Sequence, residues 1–411
     1  MKPLTRNTIG LLVATLLPAL IVTTRLGAQE AETLKDALAK GDASVALRYR
    51  YESVGDDTFE KNAIASTLRT ALGYRTLPYK RVSLFLQAQN VAPVLNDNTY
   101  NNAGAGHLWN EVDERPVVAD PAQTRMQQVY LRVNAFETAF DFGRREIFFG
   151  DHRFVGDVAW RQNHQAFDAV YLSNRTWDKA TVSYTYAEEV IRINGGDQDM
   201  SSHFFNGVID LERTTALELF GYLLDYTQAQ DFRLSSQTYG FRLHGARPVS
   251  GAWRAHFEVE YARQSDYQDN PAKLGASYLE LMGGAGYKTL VNVKLARELL
   301  GADDGPLAFQ TPLATGHKFN GWADRFLVTP PDGLVDWNLT FDGKIRASSW
   351  LVRYHDFSAD EGGAPYGSEL DAQVTYSTPW NQIIAAKLAL YRQDGFGADT
   401  SKFWFWSQYT F

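Results

Sequence analysis

The chain ends in KFWFWSQYTF, residues Lys402–Phe411, and this stretch decides the fold. Phe403, Phe405, Tyr409 and Phe411 share one face, while polar residues and two tryptophans share the other. Alternation with a period of two predicts a β-strand. An open apolar edge promotes aggregation in a soluble protein, whereas a closed barrel in lipid pairs every backbone group. The stretch therefore favours a transmembrane β-barrel over the terminal strand of a soluble β-domain.

The composition agrees with a barrel and excludes several other classes. The 411 residues contain no Cys, which excludes a disulfide framework and thiolate metal sites. Aromatic residues make up 13% of the chain, a supply that suits the girdles at the two interfaces of a barrel. A mean hydropathy of −0.32 excludes a helical membrane protein. It does not exclude a barrel, in which only alternate residues face lipid.

The N-terminus has the pattern of a secretory signal peptide, residues 1–28. A basic region and an apolar segment precede small residues that end at Ala28. A retained membrane helix is disfavoured because about 20 apolar residues are needed to span a bilayer. Cleavage removes three cations, so the formal net charge goes from −8 to −11, which argues against a nucleic-acid partner. We expect residues 29–43 to form a short periplasmic segment and residues 44–411 to form the barrel.

From Ser44 onward the chain is a series of alternating segments of about ten residues, the length that a tilted membrane strand needs. Short and long links alternate between these segments, as in bacterial barrels with short periplasmic turns and long extracellular loops. The sequence therefore predicts an all-β, antiparallel transmembrane barrel of about 18 strands. The predicted strands are 44–54, 62–75, 79–90, 126–134, 136–145, 165–173, 178–186, 203–210, 215–227, 235–245, 251–263, 275–287, 289–299, 335–343, 346–357, 367–378, 381–392 and 402–411.

Arginines recur on the faces that the alternation predicts to point inward. Each guanidinium is a planar fork that binds carboxylates in a bidentate manner, and a ring of them in a narrow lumen would concentrate anions. The alternative is a structural lattice in which these arginines pair with inward acids. The arginines are Arg48, Arg50, Arg69, Arg75, Arg81, Arg132, Arg145, Arg242, Arg254 and Arg353, and the acids are Glu52, Asp168, Glu258, Glu260, Asp336, Asp342 and Asp371.

Three stretches resemble the alginate export family of outer-membrane channels. One is GRREIFFGDHR with WRQNHQAFDAV after it, within Gly143–Val170, and another is ALAKGDASVALRYRYE, which ends at Glu52. The third is a loop motif that contains Thr315, His317, Phe319, Gly321, Trp322, Ala323 and Asp324. The resemblance implies an eighteen-stranded barrel with a basic lumen that passes an anionic saccharide. The family's alginate exporter has a long periplasmic turn that can plug the pore, whereas the corresponding turn here, Ser377–Asn381, is short, which leaves the solute open.

The resemblance also implies partners and further lumen residues. Tyr409 and Phe411 match the terminal-strand signal that the barrel assembly machinery recognises, and outer-membrane lipid and lipopolysaccharide would surround the barrel. Asp157, Arg161 and Asp168 fall in the family-like run. We expect acids beside a cationic lining to hold the arginines in place and to weaken anion binding, because conduction requires release.

Other chemistry is weakly indicated. Asp303-Asp304-Gly305 and Asp197–Asp199 are faint candidates for Ca²⁺ in outer loops, although solvated charged loops explain them better. No cofactor, metal or catalytic residue is predicted otherwise. One alternative to an anion channel is a general or uptake porin for another small solute. Another is an outer-rim barrel hydrolase, which would need a nucleophile beside His107, His152 or His317.

Overall fold

Eighteen antiparallel strands form one closed sheet, as the alternation predicts. The computed structural model describes residues 30–303 and 305–411, so the predicted signal peptide lies outside the described residues. Each strand pairs with its neighbours in sequence, and the last pairs with the first. The strands are β1 (Asp42–Asp56), β2 (Ala63–Arg75), β3 (Val82–Pro93), β4 (Gln123–Ala135), β5 (Thr138–Arg145), β6 (Ala166–Trp177), β7 (Ala180–Ile191), β8 (Asp197–Glu212), β9 (Thr215–Leu224), β10 (Ser236–Ser250), β11 (Trp253–Asp266), β12 (Gly275–Tyr287), β13 (Val291–Leu300), β14 (Leu334–Ile345), β15 (Ser348–Ser358), β16 (Pro365–Ser377), β17 (Gln382–Gln393) and β18 (Thr400–Thr410).

The links alternate between a short-turn end and a long-loop end of the barrel. The long-loop end carries the links 94–122, 146–165 and 301–333. The loop predicted at 187–202 is wrong, because β7 and β8 continue to pair as far as Ile191 with Asp197. Polar residues in this extension interrupt the apolar alternation, so the pattern ended too early. Arg81 is a second correction: it is exposed in a short turn, with a φ of 69°, and does not line the lumen.

A one-turn helix, α1 (Leu34–Ala39), precedes β1 at the short-turn end. The Thr33 hydroxyl caps it by accepting a hydrogen bond from the Asp36 N–H. The Leu77 N–H donates to the Ala37 carbonyl at 3.1 Å, which ties the helix to the β2–β3 turn. Residues 30–303 and 305–411 include no helix that is long and apolar enough to cross a membrane.

The closing strand β18 has the two faces that the sequence predicts. Phe403 and Phe405 are 42% and 39% exposed on the outer face, whereas Trp404 between them is fully buried. Phe411 follows the strand and is 58% exposed, and its N–H and carbonyl both bond to Val45 of β1, at 3.0 and 2.7 Å. The last residue therefore takes part in closing the barrel while its ring faces outward.

Replacing Phe411 with serine is expected to lower the amount of assembled barrel. The change keeps the backbone bonds to Val45 but removes the outward ring that ends the closing strand. The measurement is the fraction of folded, heat-modifiable protein in outer-membrane extracts. Phe136→Ser is the matched control, because Phe136 is 88% exposed in a short turn away from the closing strand. Equal assembly of both variants would rule out a special role for the terminal residue.

The interior of the barrel contains a hydrophobic core at its long-loop end. Phe154 and Phe309, from two different long loops, pack with ring centroids 5.8 Å apart. Phe154 also meets Tyr278 of β12 at 5.3 Å. Two long loops therefore fold into the lumen instead of only covering its mouth. They are named here inner loop A (residues 146–165) and inner loop B (residues 301–333).

Candidate functional site

Inner loop A is fastened to strand β1 by two arginines. Arg48 donates from Nε to the Gln162 side chain at 2.8 Å and from Nη1 to the Ala159 carbonyl at 3.0 Å. Arg50 donates to the Trp160 carbonyl at 2.8 Å. The sequence left these guanidinium groups between an anion path and a structural lattice, and here each of them donates to at least one carbonyl of inner loop A. Both arginines are buried, and they hold inner loop A inside the lumen.

A buried ionic cluster reinforces this attachment. The Arg161 guanidinium lies 3.3 Å from Glu52 and 3.3 Å from Asp120, and Arg50 lies 3.7 Å from each of the same acids. Burial favours the neutral acid, but Arg161 and Arg50 outweigh it and hold the pKa of Asp120 below its usual range. Two arginines and two carboxylates therefore form a balanced network between β1, inner loop A and the 94–122 loop.

Inner loop B places the family-like motif against inner loop A. The Thr315 hydroxyl accepts a hydrogen bond from the Val158 N–H at 3.1 Å. The Arg153 guanidinium of inner loop A lies 4.5 Å from the centroid of the Phe319 ring. Gly321 has a φ of 84°, and a Cβ there would approach the Glu369 carboxylate to 2.3 Å. Glycine is required at this position because both the backbone conformation and the space exclude a side chain.

His317 is held in one orientation by charged neighbours. Its Nδ1 lies 2.7 Å from Asp324, and Lys402 of β18 donates to the other oxygen of Asp324 at 2.7 Å. Burial lowers the pKa of His317 well below its usual range, which Asp324 opposes only in part. The imidazole is therefore neutral at pH 7, and we assign its proton to Nδ1 because that nitrogen faces a carboxylate.

Lys387 of β17 lies in an aromatic cage that the sequence did not predict. Its ammonium nitrogen is 3.5 Å from the Trp322 ring centroid, 4.1 Å from Trp160 and 5.4 Å from Trp404. It also lies 2.8 Å from Nε2 of His317, which accepts a hydrogen bond from it. One lysine thus contacts both inner loops and the barrel wall. A signal was present, since the pattern that puts Trp404 inward also puts its direct cross-strand partner Lys387 inward.

Beneath the two inner loops, toward the short-turn end, lies a polar cavity of about 600 Å³, which we name the vestibule. Its walls carry eight cationic and six acidic side chains, so its lining is mildly basic. Besides Lys387 in its aromatic cage, four of these cations form no ion pair with an acid among residues 30–303 and 305–411. They are Arg254, Lys288, Lys344 and Arg353.

The predicted arginine set divides into three groups. Arg242, Arg254 and Arg353 line the vestibule, although Arg242 is paired with Glu258. A second group faces inward but is held by neighbours: Arg132 and Arg145 by Asp141, and Arg75 by the Tyr130 hydroxyl. The third group, buried at or beneath inner loop A, comprises Arg48, Arg50, Arg69 and Arg161. Cations without acid partners therefore lie in one part of the lumen and an ionic lattice lies in another.

Two predicted acids have different positions. Asp157 is buried inside inner loop A, where it accepts a hydrogen bond from the Ala159 N–H at 3.1 Å. Asp168 does not face the lumen. It pairs with Arg144 through two carboxylate–guanidinium contacts of 2.7 Å. Arg144 lies two residues after Phe142, which faces outward, so Arg144 and its cross-strand partner Asp168 are on the outer face. The prediction that Asp168 faces inward is wrong because its neighbour Phe167 points into the hydrophobic core inside the barrel. At the long-loop end, apolar residues therefore do not mark the lipid face.

The weaker predictions on outer loops have limited structural support. Asp197 and Asp199 lie at the start of β8, and carboxylate oxygens from these two and Glu189 lie within 4.8 Å of one another. Asp303 forms an ion pair with Arg263, and Asp304 lies outside the described residues. Of the histidines considered for a hydrolase, His107 is exposed and His152 lies 3.3 Å from Asp157. Nε2 of His317 faces the Lys387 ammonium, where a hydrolase would need a hydroxyl.

Comparisons with known proteins give the same architecture. The alginate export family matches over residues 42–281. Among solved structures, OccK9 (OpdG) of Pseudomonas aeruginosa is similar with a TM-score of 0.73 at 15% identity, over 91% of this chain and 99% of that chain. OccAB4 of Acinetobacter baumannii gives 0.72 at 12% identity, over 90% and 97%. OpdK of Pseudomonas aeruginosa, solved with vanillate, gives 0.71 at 16%, over 90% and 98%. No curated protein matches this chain.

A closed eighteen-stranded barrel with a lumen narrowed by inward loops defines the class of outer-membrane channels. Structures at such low identity support the fold alone, whereas the family match extends over more than half of the chain. The chain belongs to the alginate export family. The barrel therefore resides in the bacterial outer membrane, where it forms a channel for small solutes.

Proposed function

We propose that the protein passes an anionic saccharide or a related organic acid through the basic side of its vestibule. The observation that carries this proposal is the set of four vestibule cations that lie outside the aromatic cage and have no acid partner. Arg353 donates from Nε to the Thr340 hydroxyl at 2.8 Å, and Arg254 donates to the Lys288 carbonyl at 2.5 Å. Each guanidinium uses one neutral acceptor in these bonds, and its remaining donors and its charge stay available to a carboxylate.

The paired cations of the vestibule support the proposal differently. Lys294 lies 2.8 Å from Asp342, and Lys318 lies 3.2 Å from Asp151. These pairs contribute little net charge, so the four cations outside the cage set the sign of the potential near their own side chains. Acids next to a cationic wall also keep a bound anion from being held too tightly, which conduction requires.

An uptake porin for a small carboxylate is the second candidate. OpdK, a structure similar to this barrel, was solved with vanillate, which is a carboxylate. The short turn at Ser377–Asn381 also differs from the plugging turn of the alginate exporter. Block of small-ion current by an oligouronate but not by a monocarboxylate would favour the saccharide, and the reverse would favour uptake of the smaller solute. Under either proposal the protein acts as a channel, and His317 gives the hydrolase alternative no support because its Nε2 faces the Lys387 ammonium.

Changing Arg353 to glutamate is expected to lower the preference of the pore for anions about fourfold. Reversing one charge changes the local charge by two, and two unit charges acting at about 10 Å through water amount to about 0.8 kcal/mol. Arg254→Glu should act in the same direction. The measurement is the reversal potential in a salt gradient, and high salt should reduce the effect through screening.

Lys273→Glu is the matched control, because Lys273 is exposed in the loop between β11 and β12, away from the vestibule. It carries the same change of charge. A wild-type pore that prefers cations, or an equal effect of Lys273→Glu and Arg353→Glu, would overturn the proposed anion path.

A further inference from the structure

A row of inward residues across strands β9 to β14 consists mostly of acids. Arg242 is the one cation among these directly paired positions, and all the remaining positions are carboxylates. Like charges directly opposite one another on neighbouring strands destabilise a sheet. The row therefore requires cations from outside the sheet. Its members, in order across the strands, are Glu218, Arg242, Glu260, Glu280, Glu298 and Asp336.

The inner loops supply those partners at one end of the row. Arg153 of inner loop A lies 2.7 Å from Glu298, and Asn320 of inner loop B donates to Glu298 at 2.6 Å and to Asp336 at 3.2 Å. His355 adds a contact of 2.9 Å to Asp336. These acids are thus well partnered by side chains of the protein itself.

The middle of the row and Glu258, two positions from Glu260 on β11, have far fewer partners. Glu258, Glu260 and Glu280 each place a carboxylate oxygen so that all three oxygens lie within 4.8 Å of one another. Arg242 bonds to Glu258 at 2.5 Å but also faces Asp151 at 3.8 Å. Three carboxylates therefore share part of a single guanidinium.

Glu260 gives an independent indication of a ligand. Its side chain is only 2% exposed, and its Oε2 has no hydrogen-bond partner among the described residues. A buried, ionised oxygen without a partner is costly. The Tyr278 hydroxyl lies 3.2 Å from Glu280 but only 2.8 Å from Glu298, so its single proton is shared at best and Glu280 has little neutral support. A cation is the partner that these three groups jointly favour.

We propose that Glu258, Glu260 and Glu280 bind one Ca²⁺ ion in the wall of the lumen. Ca²⁺ takes oxygen ligands at about 2.3–2.6 Å, so oxygens that share one ion lie within about 5 Å of one another, which the carboxylate spacing satisfies. One divalent ion together with Arg242 balances the three carboxylates. Glu258 and Glu280 line the vestibule, so water completes the coordination and the ion has a route of entry.

Ca²⁺ suits this group better than Mg²⁺ for a geometric reason. Two of the carboxylates come from β11 and one from β12, so they approach from a single wall. Ca²⁺ accepts irregular coordination with several waters, whereas Mg²⁺ demands near-ideal octahedral geometry. The inference is independent of the proposed anion path, because metal binding is measured without any transport.

The test is titration of the EGTA-treated, detergent-solubilised barrel with Tb³⁺, followed by displacement with Ca²⁺. The Tyr278 hydroxyl lies 3.2 Å from the Glu280 carboxylate, close enough for the ring to sensitise Tb³⁺ luminescence. We expect saturable binding that Ca²⁺ displaces at or below about 1 mM. Glu260→Gln, which keeps the shape of the side chain, should weaken binding at least tenfold while retaining the heat-modifiable barrel. Glu280→Gln provides the same test if Glu260→Gln assembles poorly.

Asp197→Asn is the matched control, because Glu189, Asp197 and Asp199 form the other group of acids with suitable spacing among the described residues. Binding that survives Asp197→Asn and fails in Glu260→Gln supports the lumen site. Binding that fails in Asp197→Asn alone assigns the ion to the outer rim and overturns the proposal. Absence of Ca²⁺ binding at millimolar concentration also overturns it, and protons held by the glutamates would then reduce the charge.

Discussion

Replacing Lys387 with methionine is expected to release the two inner loops and to raise single-channel conductance. The ammonium lies within 4.1 Å of the ring centroids of Trp160 and Trp322, which belong to different loops. A desolvated cation–π contact contributes about 2 kcal/mol, and methionine removes the charge while keeping most of the volume. A loss of that size shifts the ratio of docked to undocked loops about 30-fold. Single-channel recordings should therefore show a higher conductance level and larger current fluctuations.

Lys294→Met separates loop release from the loss of any lumen cation. Lys294 lines the vestibule and pairs with Asp342 at 2.8 Å, but it lies outside the aromatic cage. Lys387→Arg should retain much of the cage, because a guanidinium also interacts with aromatic faces. If Lys387→Met and Lys294→Met have the same conductance and noise, the cage does not hold the loops.

Replacing Arg50 with methionine is expected to produce the largest loss of stability among the substitutions proposed for this barrel. Arg50 supports the Trp160 carbonyl, lies 3.9 Å from the Trp160 ring centroid and balances Glu52 and Asp120. Its removal leaves two buried carboxylates with one cation. Breaking a buried ionic network from one side costs about 3–5 kcal/mol. The measurement is the temperature at which the folded barrel converts to the unfolded band in a gel, and this temperature should fall.

Asp120→Asn in the Arg50→Met background should recover part of the lost stability, because it removes the unbalanced charge. Arg247→Met is the control for a surface pair. Arg247 and Glu212 lie 3.1 Å apart with both side chains more than half exposed, and such pairs contribute about 0–1 kcal/mol. Equal conversion temperatures for Arg50→Met and Arg247→Met would show that the buried cluster contributes nothing special.

The arginines show what the alternation of apolar and polar residues can and cannot predict. Arg48 and Arg50 point inward as predicted, and so do Arg254 and Arg353. Only the last two remain free of the inner loops and of acid partners. The pattern gives the side of the sheet but says nothing about what fills the space in front of it. Asp141 holds Arg145, so we expect Arg353 to affect selectivity more than Arg145 does.

The sequence by itself determined the number and order of the strands, the closing role of β18 and the face of most strand residues. These features depend on local alternation and on the spacing of turns, which a single sequence displays. Only the tertiary structure decided which cations are free. Arg48 meets Gln162 across 114 positions of the chain, and Lys387 meets His317 across 70. Such contacts depend on how long loops fold into a closed barrel. The same inward folding explains Asp168, since an apolar core inside the barrel reverses the usual meaning of an apolar face.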